Sequence, residues 1–211
     1  MVDKIRVKFV ALGDSLTAGF QSPDLFPSGR EEFPYTRFLG IILEKELPKK
    51  GLSYIEVYFE NAGMLGDTTR GMLERFDAHV VALEPDYVAV WGGINDLFML
   101  KTPGEIQNNL AQIYCKALEA DIGPIACTVT SVLGFNHILP RIMELNDLIK
   151  GYCKEHGVPI ADLFATTSDE SGRLREIFSC DGVHLSQAGY RRVAYTLYYE
   201  VIEHILDGLE K

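Results

Sequence analysis

The sequence predicts an α/β protein: a three-layer α/β/α sandwich around a mostly parallel sheet. Three observations carry that expectation. Short apolar runs alternate with helical patterns five times along the 211 residues. The connections leave room for the helical crossovers that parallel strands require. The loops leaving the first, second, third and fifth runs are dense in Gly, Asp, Asn, Ser and His, and open α/β sheets place their sites at strand carboxyl ends. The length fits one domain over residues 1–211 that buries about 70% of its extended surface. Apolar residues at 47% and charged residues at 24% describe an ordinary globule.

The elements follow in order. Val7 to Leu12 is a buried strand running into the turn Gly13-Asp14-Ser15. Phe33 to Lys50 is helical at its centre, with Phe38, Ile41, Ile42 and the polar-edge Lys45 at three- and four-residue spacing, and Pro48 is expected to end it. Tyr54 to Phe59 alternates as a strand, and Asn61-Ala62-Gly63 follows as a loop. Asp67 or Thr68 caps a helix reaching about His79, with Leu73 and Phe76 inward. Tyr87 to Trp91 is the third strand, with Gly92-Gly93-Ile94-Asn95-Asp96 as its exit. Thr102, Pro103 and Glu105 mark a capping box opening a helix to Ala120, whose apolar stripe includes Ile106, Leu110, Ile113 and Tyr114. Pro124 to Thr130 is strand four. Leu139 to His156 is a helix with Ile142, Leu145, Leu148, Ile149 and Tyr152 inward, ended by Gly157. Val158 to Ala161 is strand five, Leu163 to Cys180 is loop or broken helix, and Ser186 to Leu209 is one long helix.

Charge and cysteine usage narrow the function. Thirty acidic residues against twenty basic give a net charge of -10, which disfavours a nucleic-acid backbone as partner. Cys115, Cys127, Cys153 and Cys180 lack C-x-x-C spacing, so neither a zinc ribbon nor a thioredoxin-type site is expected. Their scatter suits a reducing compartment. With no signal-peptide pattern at Met1 to Ile5 and no apolar stretch of about 18 residues, the expectation is a cytoplasmic chain without a membrane span.

Four loops carry chemistry. In Gly13-Asp14-Ser15-Leu16-Thr17-Ala18-Gly19, Ser15 sits where a helix starts, beside backbone N–H groups; a plain helix cap reads equally well. The loop has neither a Walker A lysine nor G-x-G-x-x-G. In Asp181-Gly182-Val183-His184, a carboxylate three residues from an imidazole can fix its tautomer and let it take a serine proton. The same pair could cap a helix beside a surface histidine or join a metal site, but further ligands are not evident. Gly66 offers an unobstructed N–H and Asn95 an amide NH2, the convergent donors an oxyanion needs. Asp14 and Asp96 read as loop braces, and His79, His156 and His204 as solvent-facing.

In their order and spacing these blocks resemble the SGNH hydrolases, the GDSL esterase and lipase family. Gly13 to Gly19 matches the nucleophile block, Asn61 to Thr68 the second, Gly93 to Asp96 the third and Asp181 to His184 the last. The resemblance implies Ser15 as nucleophile, His184 as base and Asp181 as its orienting carboxylate. It implies an oxyanion hole from the Ser15 N–H, the Gly66 N–H and the Asn95 side chain, and no cofactor or metal. It also implies a flavodoxin-like fold with five parallel strands in the order 2-1-3-4-5. The expected function is a serine esterase acting on small or medium acyl esters or thioesters. Carbohydrate O-acetyl esterase and lysophospholipase are the alternatives within the class, and a non-catalytic flavodoxin-like binding protein is the alternative outside it. Substrate selection falls to loops: the long segment from Phe20 to Tyr35, with Pro23, Phe26, Pro27, Phe33 and Pro34, and the apolar residues Leu97, Phe98, Met99, Leu100, Phe135, Ile138 and Leu139. His137 and Arg30, Arg70, Arg173 and Arg175 are further candidates for substrate contact. The partner is a small acyl ester; oligomeric state is not indicated.

Overall fold

Nine residues rich in β-branched and aromatic side chains form the central strand β1 (Ile5–Gly13), and every other strand is placed by reference to it. A computed structural model describes residues 4–21 and 33–209 of the chain. Pro23, Phe26, Pro27 and Arg30 of the expected selectivity segment lie outside the described residues. The strands β2 (Ile55–Gly63), β3 (Tyr87–Trp91), β4 (Gly123–Cys127) and β5 (Ile160–Ala161) join β1 in one five-stranded sheet, ordered β2-β1-β3-β4-β5 and parallel throughout. This is the expected order.

The helices alternate with the strands: α1 (Ser15–Ala18), α2 (Tyr35–Lys49), α3 (Thr69–Glu74), α4 (Phe76–His79), α5 (Ile94–Phe98), α6 (Pro103–Glu119), α7 (Leu139–His156), α8 (Leu163–Thr167), α9 (Gln187–Leu197) and α10 (Glu203–Asp207). Helices α3, α6 and α7 pack together, as do α2, α8 and α9, and the two groups sandwich the sheet. Val10, Leu12, Val88, Val90, Ile125 and Ala126 are buried in its centre. Phe9 stacks between Phe59 and Tyr87 on neighbouring strands, at 5.4 and 5.1 Å between centroids.

Local signals placed some boundaries and tertiary pairing moved others. The Thr102–Glu105 capping box forms as expected, each partner bonding the other's backbone N–H. β2 continues through Asn61-Ala62-Gly63, expected as loop, because β1 pairs with it to Gly13↔Gly63. β4 stops at Cys127 rather than Thr130, since β5 offers only two pairing residues after Pro159. α2 starts at Tyr35 and runs past Pro48 to Lys49. Its inward face is Tyr35, Leu39, Ile42, Leu43 and Leu47, leaving Ile41 at 44% exposure. Leu148 of α7, expected inward, is likewise exposed. The helix expected from Thr68 to His79 is capped by Thr68 but breaks at Arg75 into α3 and α4. The final helix is interrupted by a π-helical turn at Tyr198–Ile202, where Glu200 accepts the Asp162 N–H at 2.7 Å. No helix among the described residues is long and apolar enough to cross a membrane.

The register fixes the site. Gly13, Gly63 and Trp91 end their strands level with one another. The loops that begin at Asp14, Met64 and Gly92 therefore emerge side by side at one edge of the sheet.

Candidate active site

β1 delivers Ser15 to the first position of α1. Asp14 caps that helix, accepting the Leu16 N–H on Oδ1 at 2.9 Å. Ser15 is 7% exposed, and its Oγ lies 2.9 Å from His184 Nε2 across 169 residues of chain. His184 Nδ1 lies 2.7 Å from Asp181 Oδ2. The other carboxylate oxygen, Oδ1, accepts the backbone N–H groups of Val183 at 3.0 Å and His184 at 2.7 Å. An ionised carboxylate only accepts, so Nδ1 carries the imidazole proton and Nε2 is left to accept from the serine hydroxyl. Burial acts to raise the Asp181 pKa, but the bonds from the His184 ring and the two N–H groups outweigh it, and the net shift is downward. Asp181 is thus ionised at neutral pH.

The second and third loops are tied to the first. The Gly13 carbonyl accepts the Met64 N–H at 3.0 Å and Arg75 Nη2 at 2.9 Å. Asn61 donates to the Thr17 carbonyl at 2.8 Å and accepts the Gly63 N–H at 2.9 Å. Gly63 is needed there, because a Cβ would sit 2.2 Å from the Ala18 nitrogen. Gly66 adopts φ +73° in the turn that follows, a left-handed conformation that suits glycine. Asn95 Nδ2 donates to the Asp67 carbonyl at 2.8 Å, which ties Asn95 to the Gly66 turn. Asp96 accepts both the N–H and the hydroxyl of Thr69 at 2.9 Å. Asp14 and Asp96 therefore brace loops, as expected.

Arg75 is the member the sequence reading missed. Its Nε pairs with Asp67 Oδ2 at 2.7 Å, with both side chains about nine-tenths buried. With its bond to Gly13 it locks the Gly66–Asp67 turn onto the loop that carries Ser15. Phe20, which opens the segment expected to select substrate, meets the His184 imidazole edge-on at 4.6 Å between ring centroids, and its carbonyl accepts the Tyr190 hydroxyl at 2.8 Å. Three of the four arginines put forward for substrate contact, those among the described residues, have partners within the chain. Arg70 pairs with Glu74, Arg173 with Asp169, and Arg175 donates to the Ser168 carbonyl. His79, His137, His156 and His204 are exposed. All four cysteines are free thiols; burial pushes Cys127 up strongly and Cys153 to about 11, so neither is a thiolate at neutral pH. Among the described residues no cluster of three or more His, Cys, Asp or Glu is arranged to hold a metal.

The comparisons with known proteins bear on the same edge of the sheet. The model of the GDSL-like lipase/acylhydrolase family matches residues 11–192. A lipase/acylhydrolase from Enterococcus faecalis is similar at 26% identity, covering 97% of each chain, with a TM-score of 0.73. An acetylxylan esterase from Geobacillus stearothermophilus shares 21% identity over 95% of this chain and 96% of its own, with a TM-score of 0.76. A GDSL-like lipase from Bacteroides thetaiotaomicron shares 20% identity over 97% of this chain and 89% of its own, with a TM-score of 0.68. A comparison with curated protein sequences gives no match. The family match spans every block from the strand before Ser15 to beyond His184, the sheet order is the expected one, and Ser15 meets His184 at hydrogen-bond distance; the chain belongs to the GDSL-like lipase/acylhydrolase family of serine hydrolases.

Proposed function

We propose that this chain hydrolyses small or medium acyl esters or thioesters through an acyl-enzyme on Ser15. The observation that supports it most is the continuous relay from Ser15 Oγ to His184 Nε2 and from His184 Nδ1 to Asp181, at 2.9 and 2.7 Å. In this reading Ser15 Oγ attacks the acyl carbonyl as His184 takes its proton. The carbonyl oxygen becomes an oxyanion, received by the Ser15 N–H, the Gly66 N–H and the second N–H of Asn95 Nδ2, whose first is bound to Asp67. His184 then protonates the departing oxygen or sulfur. Water enters, gives its proton to His184 and attacks the acyl-enzyme, and the acid leaves as Ser15 regains its proton. Asp181 stays ionised throughout and stabilises the imidazolium.

Removal of acetyl groups from carbohydrate, or of the acyl chain from a lysophospholipid, would use the same side chains. The likeness to the acetylxylan esterase, at 21% identity, is one of fold. The free thiols are compatible with the cytoplasm, which is the proposed location. A parallel screen of aryl esters, acyl-CoA, lysophospholipid, acetylated monosaccharides and acetyl-xylan, with wild type and Ser15→Ala, tests the assignment. Turnover of aryl or thioesters should fall by at least about 10⁴-fold in Ser15→Ala while the melting transition is kept. Near-normal activity in that variant would overturn the reading.

A further inference from the structure

We propose that Phe98 and Phe135 form the acyl wall of this site and give it a preference for medium acyl chains such as hexanoyl over acetyl. The proposal rests on the reading of Ser15 as nucleophile. The apolar residues of α5 and of the loop that holds Phe135 differ in exposure. Leu97 and Ile138 are buried in the core. Phe98 at 37%, Phe135 at 36%, Met99 at 60% and Leu100 at 78% face solvent. Core packing accounts for the buried pair and leaves the exposed residues unexplained.

Phe98 and Phe135 join the two parts of the site. Phe98 lies three residues after Asn95 on α5, so the two side chains share one side of the helix. Phe135 leans on the turn that carries the base: a Cβ built on Gly182 would come within 3.1 Å of its ring. The two rings meet edge to face, with centroids 5.5 Å apart and planes at 85°. The pair thus spans from the helix that carries Asn95 to the Asp181–His184 turn, whose imidazole meets Ser15.

Both backbones are held. The Leu133 N–H donates to the Gly182 carbonyl at 2.7 Å. α5 ends through Leu100, whose φ of 63° is left-handed backbone that a leucine rarely adopts. Its N–H bonds the Leu97 carbonyl at 3.0 Å, and Arg141 donates to the carbonyls of Leu97 and Lys101. Strained, anchored backbone therefore supports an exposed apolar tip. Two partly exposed rings in contact present an apolar surface that methylenes can cover.

The size of the preference follows from burial. A methylene fully removed from water is worth about a factor of four, and one covered on a single side about a factor of two. The four methylenes that separate hexanoyl from acetyl then give roughly a ten- to twenty-fold preference.

The test measures kcat/KM for p-nitrophenyl acetate, butyrate and hexanoate, each normalised to its alkaline hydrolysis rate. It uses wild type, Phe98→Ala, Phe135→Ala and the conservative Phe98→Leu and Phe135→Leu. The hexanoate-to-acetate ratio should be roughly ten to twenty in wild type, fall to about two in the alanine variants and recover in the leucine variants. Should one alanine variant fail to fold, the wild-type ratio and the alanine variant at the other ring still decide the test. A wild-type ratio near one, or a ratio that neither aromatic substitution moves, overturns the acyl wall and leaves the Ser15 mechanism standing. Ser15→Ala is run alongside; hydrolysis that survives in it overturns the underlying reading instead.

Discussion

Replacing Asp14 by Asn exposes a pH-dependent term in stability that the structure places beside Ser15. Asp14 is fully buried, and its Oδ2 has no hydrogen-bond partner among the described residues while Oδ1 caps α1. Burial raises its pKa from 3.8 to about 7; the Leu16 N–H opposes the shift, and the charges of Asp67 and Asp96 add to it. A carboxyl whose pKa is higher in the folded than in the unfolded chain keeps its proton longer when folded. Stability is therefore full below pH 3.8, falls as pH rises towards 7 and levels off above it. Each pKa unit is worth about 1.4 kcal/mol, so the complete loss is about 4 kcal/mol. Asparagine keeps the cap acceptor and does not titrate. Urea unfolding of wild type and Asp14→Asn at about pH 5 and about pH 8 reads the effect. The variant should gain about 2–3 kcal/mol on wild type between those two conditions. Any constant cost of burying the amide cancels in that difference. A difference that stays flat with pH to within about 0.5 kcal/mol would refute the reasoning.

Three further outcomes are expected. Asp181→Asn keeps the shape of the turn but turns an NH2 towards His184 Nδ1, which favours the wrong tautomer; kcat on an aryl ester should fall by about 10³- to 10⁴-fold with the fold intact, and a loss under ten-fold would count against the relay. Arg75→Met leaves Asp67 buried without its cation, so denaturant unfolding should show a loss of about 3 kcal/mol; unchanged stability would mean that the pair does not lock the loops. Thr102→Ala removes the α6 cap and should cost about 1 kcal/mol in the same experiment, with activity unaffected.

What was legible in the sequence was local or carried by short blocks. Thr102, Pro103 and Glu105 are neighbours, and so they located the start of α6 without any tertiary information. The four blocks located Ser15, Asp181 and His184, and the structure brings these three together. What was not legible depended on distant partners. Asn61 to Gly63 become strand only because β1 runs alongside. In α2 the rows through Ile41 and through Leu39 both fit a helical period, and packing against the sheet selects the second. Arg75 follows Asp67 by eight residues and Gly13 by sixty-two, spacings with no helical or strand meaning, so its role emerges only once the strand ends are aligned. The π-helical turn at Tyr198 leaves no mark in a periodicity that continues through Val201.

The central claim is that Ser15 is a nucleophile activated by His184, and covalent labelling tests it most directly. A fluorophosphonate reacts when a serine oxygen displaces fluoride at phosphorus and gives up its proton to the base. Peptide mass spectrometry of the labelled protein should find the phosphonyl group on Ser15. Ser15→Ala should remain unlabelled, and His184→Ala should label at least about 10³-fold more slowly. An adduct at another residue, or labelling that persists in Ser15→Ala, would contradict the account.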